Sequence, residues 1–221
     1  MVRKIVIFAA SKKSALKEEL EQREDKVDAI IAAAQKRFAV FGAEKTSMRE
    51  IADDLHMSKA SLYYYFPDKE NLYKAVIEKE QNEFLATLER DVKLNPEPAD
   101  FLRRYALNRL SYFRYLVNLG KIGPASMNEV RPLILECFLN FREKEKLILV
   151  EVLEKGKKDG SFTIENTDET ASLYLEILRG LRSIFLSQRK LHIISDEEFR
   201  ELSYIIEKAS DIFIKGLMYS K

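Results

Sequence analysis

TSMREIADDLHMSKASLYYYFPDKENL, residues Thr46 to Leu72, decides the fold of this chain. Ser47 is a good N-cap, and Glu50 three residues on completes a capping box. Ile51, Ala52 and Leu55 then give a first short helix its apolar face. Ser58 opens a second helix, Lys59 to Tyr65, and Pro67 ends it by pushing the preceding residue out of helical geometry. Asp68 caps a third helix carrying Leu72, Tyr73 and Val76. Two short helices joined by a three- or four-residue turn fit a helix-turn-helix. The second helix is small, polar and aromatic, with Lys59 and no acid. Such a surface donates to phosphate or base edges, whereas carboxylates would repel them. The bare pattern also suits an ordinary helical hairpin with a tyrosine-rich core.

The stretch closely resembles the DNA-binding signature of TetR-family repressors. The resemblance rests on Thr46-Ser47, Arg49, Ile51-Ala52, Ser58, Leu62-Tyr63-Tyr64-Tyr65-Phe66, Lys69-Glu70 and Leu72. It covers about 50 residues. His56 and Met57 depart from the usual Gly and Val of the turn, and His56 is expected to take a positive φ there. The resemblance implies roles by position. Arg49 would reach a base edge or phosphate. Lys59, Ala60, Ser61 and Tyr63 would face the major groove, with Ala60 limited to a thymine methyl. Thr46, Ser47, Ser58, Tyr64, Tyr65 and Lys69 would fix the DNA backbone. Leu62 and Phe66 would be core, and one of the three tyrosines must point inward.

A chain of 221 residues with 46% hydrophobic content builds one large domain, or a small and a medium one. High charge with only 7 Gly and 5 Pro favours helices. The net charge of +1 announces no nucleic acid globally, so any DNA-binding field must be local. One Cys allows no intrachain disulfide and suits a reducing cytoplasm. One Cys and 2 His supply no Cys/His zinc site, and no cofactor is expected. No apolar run approaches the roughly 18 residues of a membrane span. The apolar start, Ile5 to Ala10, is too short for a signal peptide and reads as an extension over residues 1–22.

Residues 23–73 read as the DNA-binding domain. Val27, Ile30, Ile31, Ala34, Phe38 and Phe41 share one helical face, and Gly42 stops that helix. Residues 74–221 read as a helical ligand-binding and dimerisation domain, so the fold class is all-α. Its helices run from Asp68 to about Leu94, from Pro98 or Asp100 to about Leu119, and from about Glu129 to Lys158. Gly156 to Ser161 reads as a loop, and Asp168 and Ser195 read as caps of two closing helices. The first of these carries Leu173, Tyr174, Ile177, Leu181, Ile184 and Phe185; the second carries Phe199, Leu202, Ile205, Ile206, Ala209, Ile212 and Phe213. In TetR-like proteins the last two helices pair with their symmetry mates. That implies a homodimer with recognition helices about 34–36 Å apart, or somewhat more, on a near-palindromic double-stranded operator.

Arg109 falls within the apolar stripe of Leu102, Tyr105, Tyr112, Phe113 and Leu116. A charge there must be paired or snorkel. One reading is a structural ion pair with Glu145 or Glu176. The other is a ligand pocket walled by Tyr105, Tyr112, Phe113, Phe138, Phe141 and Tyr174, with Arg109 gripping an acidic group. No nucleophile–base pair, metal cluster or phosphate loop suggests an enzyme. The sequence therefore reads as a repressor released by an apolar or aromatic, acidic small molecule. The alternative is a DNA-binding regulator gated by a protein partner.

Overall fold

The computed structural model describes the backbone of residues 2–43, 45–94, 96–120, 132–189 and 194–218, and the side chains of 17–43, 45–94, 96–114, 135–188 and 194–218. The described residues form α1 (Val2–Phe41), α2 (Met48–Asp54), α3 (Lys59–Tyr65), α4 (Lys69–Lys93), α5 (Pro98–Gly120), α6 (Pro132–Asp159), α7 (Thr167–Arg189) and α8 (Asp196–Met218). They fall into two compact units, Met1–Val76 and Ile77–Lys221, with α4 contributing to both. None of these helices is long and apolar enough to cross a membrane.

In the first unit the predicted stripe of α1 is real. Ile30, Ile31, Ala34 and Phe38 are buried with Met48, Ile51, Ala52, Leu62, Phe66, Leu72 and Val76. Phe41 is the exception: it is exposed, and the Arg37 guanidinium lies 5.8 Å from its ring centre. Gly42, at φ 82°, ends α1. The extension expected over residues 1–22 is continuous with α1, which begins at Val2. Ser47 and Glu50 form the reciprocal capping box on α2, and Ser58 caps α3. The turn between them is closed by the Met57 amide on the Ala52 carbonyl at 2.9 Å. His56 takes φ 52° there, alone in that region among described non-glycine residues. Asp68 accepts from the Asn71 amide at 2.8 Å and so caps α4.

In the second unit α5 packs on α6 and α8, and α7 packs on α6 and α8. One continuous core runs through α4 to α8. Ser195 caps α8 as expected, with the reciprocal Glu198 contact. On α7 the cap is Asn166 rather than Asp168, because its Oδ1 accepts from the Asp168 and Glu169 amides. The loop expected from Gly156 begins later, since α6 continues to Asp159. Gly156 has a packing reason instead: a Cβ there would lie 2.3 Å from the Phe162 ring, which is buried. Gly160, at φ 81°, makes the turn. Gly156→Ala is therefore expected to cost about 1–3 kcal/mol by overpacking. Urea denaturation of the variant checks it, and unchanged stability would show that Phe162 moves freely.

Candidate nucleic-acid interface and effector core

The helix-turn-helix is held by a charged clamp. Arg37 of α1 donates to both oxygens of Asp54, at 2.5 and 2.8 Å, and lies 3.4 Å from Glu50. Hydrogen bonding to Arg37 holds Asp54 below its usual carboxylate range; bonding to Ser47 does the same for Glu50. Glu50 and Asp54 of α2 thus both stay ionised, with Arg37 balancing one of the two charges.

α3 buries only Leu62, at 0% exposure. Lys59, Ala60, Ser61, Tyr63 and Tyr64 are all exposed, Tyr64 at 72%. Tyr65 is the inward tyrosine, packed on the first unit's core. Lys59 lies 5.5 Å from the Tyr63 ring centre, and Arg23 of α1 lies 6.0 Å from that of Tyr64. Arg49 is exposed at the start of α2, 3.9 Å from Asp53. Ser47 and Ser58 are exposed while their hydroxyls cap helices.

Two residues expected at the DNA backbone point inward. Thr46 is 2% exposed and donates to the Gly42 carbonyl at 2.9 Å. The Lys69 ammonium donates to the carbonyls of Ala43 and Thr46, at 2.9 and 3.1 Å. Both therefore tie down the connection that follows α1, Thr46 from a buried position and Lys69 from a part-buried one. The sequence reading missed Arg23 and Arg37. Their positions depend on how α1 crosses α2 and α3.

The second unit carries two aromatic groups along α5. Phe84, Tyr112 and Phe141 form one, with Tyr112 stacked on Phe84 at 4.5 Å and 5.8 Å from Phe141. Phe101, Tyr105, Tyr174 and Phe213 form the other. The Tyr174 hydroxyl donates to the Leu102 carbonyl at 3.0 Å, a structural bond. Phe138 is half-buried.

Between the groups, Arg109 donates to both oxygens of Glu145, at 2.7 and 3.2 Å. Glu145 is fully buried and Arg109 nearly so, so the bidentate geometry keeps both charges paired out of water. Arg182 of α7 stands over Phe113, 3.5 Å from its ring centre. Burial, and then the Arg109 charge, lower its pKa from the usual guanidinium value. Arg182 was missed in the sequence, although it sits between Leu178 and Phe185 at helical spacing, as Arg109 does on α5.

With the geometry in hand, likeness to known proteins falls into place. Residues 30–76 match the model of bacterial regulatory proteins of the tetR family, and residues 103–219 match the QacR-like protein C-terminal region. The chain belongs to the TetR family. Regulators of this family bind DNA and function as dimers. A curated relative, the HTH-type transcriptional regulator RutR of Escherichia coli, is 42% identical over 111 residues, 50% of this chain and 52% of that protein. The chain thus spans about half the length of this TetR-family relative. A transcriptional regulator from Cytophaga hutchinsonii is 35% identical, with TM-score 0.81 over 88% of this chain and 99% of that one. A TetR transcription regulator from Haloarcula marismortui, 16% identical, shares the fold at TM-score 0.70, over 89% and 100% of the two chains.

Proposed function

We propose that this TetR-family protein is a repressor that binds a near-palindromic operator as a homodimer and leaves it when a small aromatic or apolar acid binds the second unit. The observation that carries the DNA half is α3, which buries Leu62 alone and offers Lys59, Ala60, Ser61, Tyr63 and Tyr64 to solvent. Arg49 supplies a further exposed cation, and Arg23 lies beside Tyr64.

Dimerisation through α7 and α8 is supported by apolar side chains that the single chain leaves uncovered. Leu173 and Ile184 on α7 and Tyr204 and Ile212 on α8 are exposed. Gly180 and Gly216 on the same helices meet nothing within 4 Å of where a Cβ would stand. Bare backbone beside exposed apolar residues suits the close approach of a partner helix.

An effector would act only through its different affinity for the DNA-bound and free conformers. The walls proposed are Tyr105, Tyr112, Phe113, Phe138, Phe141 and Tyr174 of α5, α6 and α7, with Arg109 and Glu145 between them.

Selection from randomised duplexes, followed by anisotropy titration, tests the reading. Lys59→Ala is expected to cost about 1–3 kcal/mol on the selected operator, roughly 5- to 150-fold, and far less on random DNA. Equal losses on both would make Lys59 a phosphate contact. Failure of selection to enrich any sequence would remove the operator reading itself.

A further inference from the structure

Four buried or partly buried groups of the second unit lack the hydrogen-bond acceptors or carboxylate that their chemistry calls for. Tyr105 Oη, Tyr112 Oη and Gln81 Nε2 are buried with no hydrogen-bond partner among the described residues. Arg182 has its guanidinium on the Phe113 ring, and no carboxylate lies within ion-pair distance of it among the described residues. All four share a neighbourhood. Tyr105, Arg182 and Tyr112 each feel the Arg109–Glu145 pair. Gln81 accepts from Cys137 Sγ at 3.1 Å, and Cys137 in turn lies within electrostatic reach of Tyr112.

All four are donors in this setting. Burial raises both phenols' pKa values first, followed by Glu145 for Tyr105 and by Glu80 and then Glu145 for Tyr112; both hydroxyls stay protonated. The Cys137 bond uses the Gln81 oxygen and leaves its amide hydrogens over. Both Glu145 oxygens accept from Arg109, and neither stands in hydrogen-bonding geometry to Tyr105 Oη. The nearby Arg179 is engaged by Glu176, which also takes Arg142. A buried donor without an acceptor costs about 1–3 kcal/mol, so a set of such donors calls for a shared occupant.

We propose that Arg182, with Tyr105, Tyr112 and Gln81, forms the anion-accepting end of the effector site, and that the effector is a planar aromatic carboxylate. Its carboxylate would meet Arg182, whose cation already lies on an aromatic face. The ring would lie against Phe113 and the Phe84–Tyr112–Phe141 group. Arg109 is then a positioning residue, holding Glu145 away from Arg182. This rests on the effector-release reading above and assigns its charge to Arg182.

The test uses the full chain with 1-naphthoate, benzoate and their neutral amides, read by calorimetry and by release of the selected operator. Wild type is expected to bind each carboxylate roughly tenfold or more tighter than its amide. Arg182→Gln should bring that ratio close to one, and Arg182→Lys should keep part of it. Tyr112→Phe should weaken carboxylate and amide alike. Melting curves of each variant confirm folding, and Arg182→Lys serves if Arg182→Gln does not fold. Absence of binding by every probe would mean that water alone satisfies these donors, and overturns the proposal. So does a ratio that Arg182→Gln leaves unchanged. Carboxylate preference without operator release would instead uphold the site and defeat the effector-release reading.

Discussion

Arg109→Met is expected to destabilise the protein by about 3–5 kcal/mol, because it strands a fully buried carboxylate. That loss should appear as a drop of roughly 10 °C in Tm for a unit of this size. The comparison that gives the number meaning is Arg109→Met combined with Glu145→Leu. Removing both charges exchanges a buried ion pair for apolar packing, which is often neutral or stabilising. The double variant should therefore recover most of the loss. Thermal melts of the two variants and wild type decide the matter. A single variant as stable as wild type would mean that Glu145 finds another cation, and Arg182 is the one at hand. Operator affinity of the double variant should stay within a few-fold of wild type, since neither residue belongs to the DNA-binding unit.

Ile212→Glu should produce the largest effect on DNA. Ile212 is 73% exposed in the single chain, so a charge there leaves the monomer's core intact. Buried in a dimer of α7 and α8, the same charge would be unpaired and costly. Sedimentation should show monomers where wild type shows dimers. Operator affinity should fall by about 10²- to 10⁴-fold, the gain that two linked half-sites ordinarily supply. Circular dichroism should be unchanged. A dimeric Ile212→Glu protein with full affinity would place the interface elsewhere.

The helix-turn-helix was legible because each boundary is made locally. Ser47, Glu50, Ser58, Pro67 and Asp68 act within a few residues of themselves, and the structure uses the caps as read. The direction of side chains was legible only where a stripe is wide. Three successive tyrosines sweep too far around a helix for the pattern to choose one, and packing on the first unit's core chose Tyr65. Thr46 and Lys69 turn inward because the carbonyls of Gly42, Ala43 and Thr46, in the connection after α1, stand beside them, a fact of tertiary placement. Arg109 was visible as a charge in an apolar stripe, and its partner was one of two acids within reach. Arg182 carried the same signal on α7. It was masked by the neighbouring exposed Leu173 and Ile184, which make that helix apolar on two sides. Gly156 looked like a loop because glycine marks both turns and close packing; only the Phe162 ring separates the two.

In the effector site proposed above, the bond from Cys137 to Gln81 would set which end of an amide a ligand meets. A thiol can give its hydrogen only to an acceptor, here the Gln81 oxygen, and the buried amide nitrogen is left without a partner. Replacing Cys137 by alanine would free the amide to rotate by half a turn, and an oxygen could then stand where a nitrogen had been. One sulfur atom would thus act as a polarity key for that proposed site, deciding whether it rewards a lone pair or a proton. Oxidation of that thiol would remove the key without touching any residue that meets the ligand. The ligand preference proposed above would in this sense be adjustable from one position behind the site.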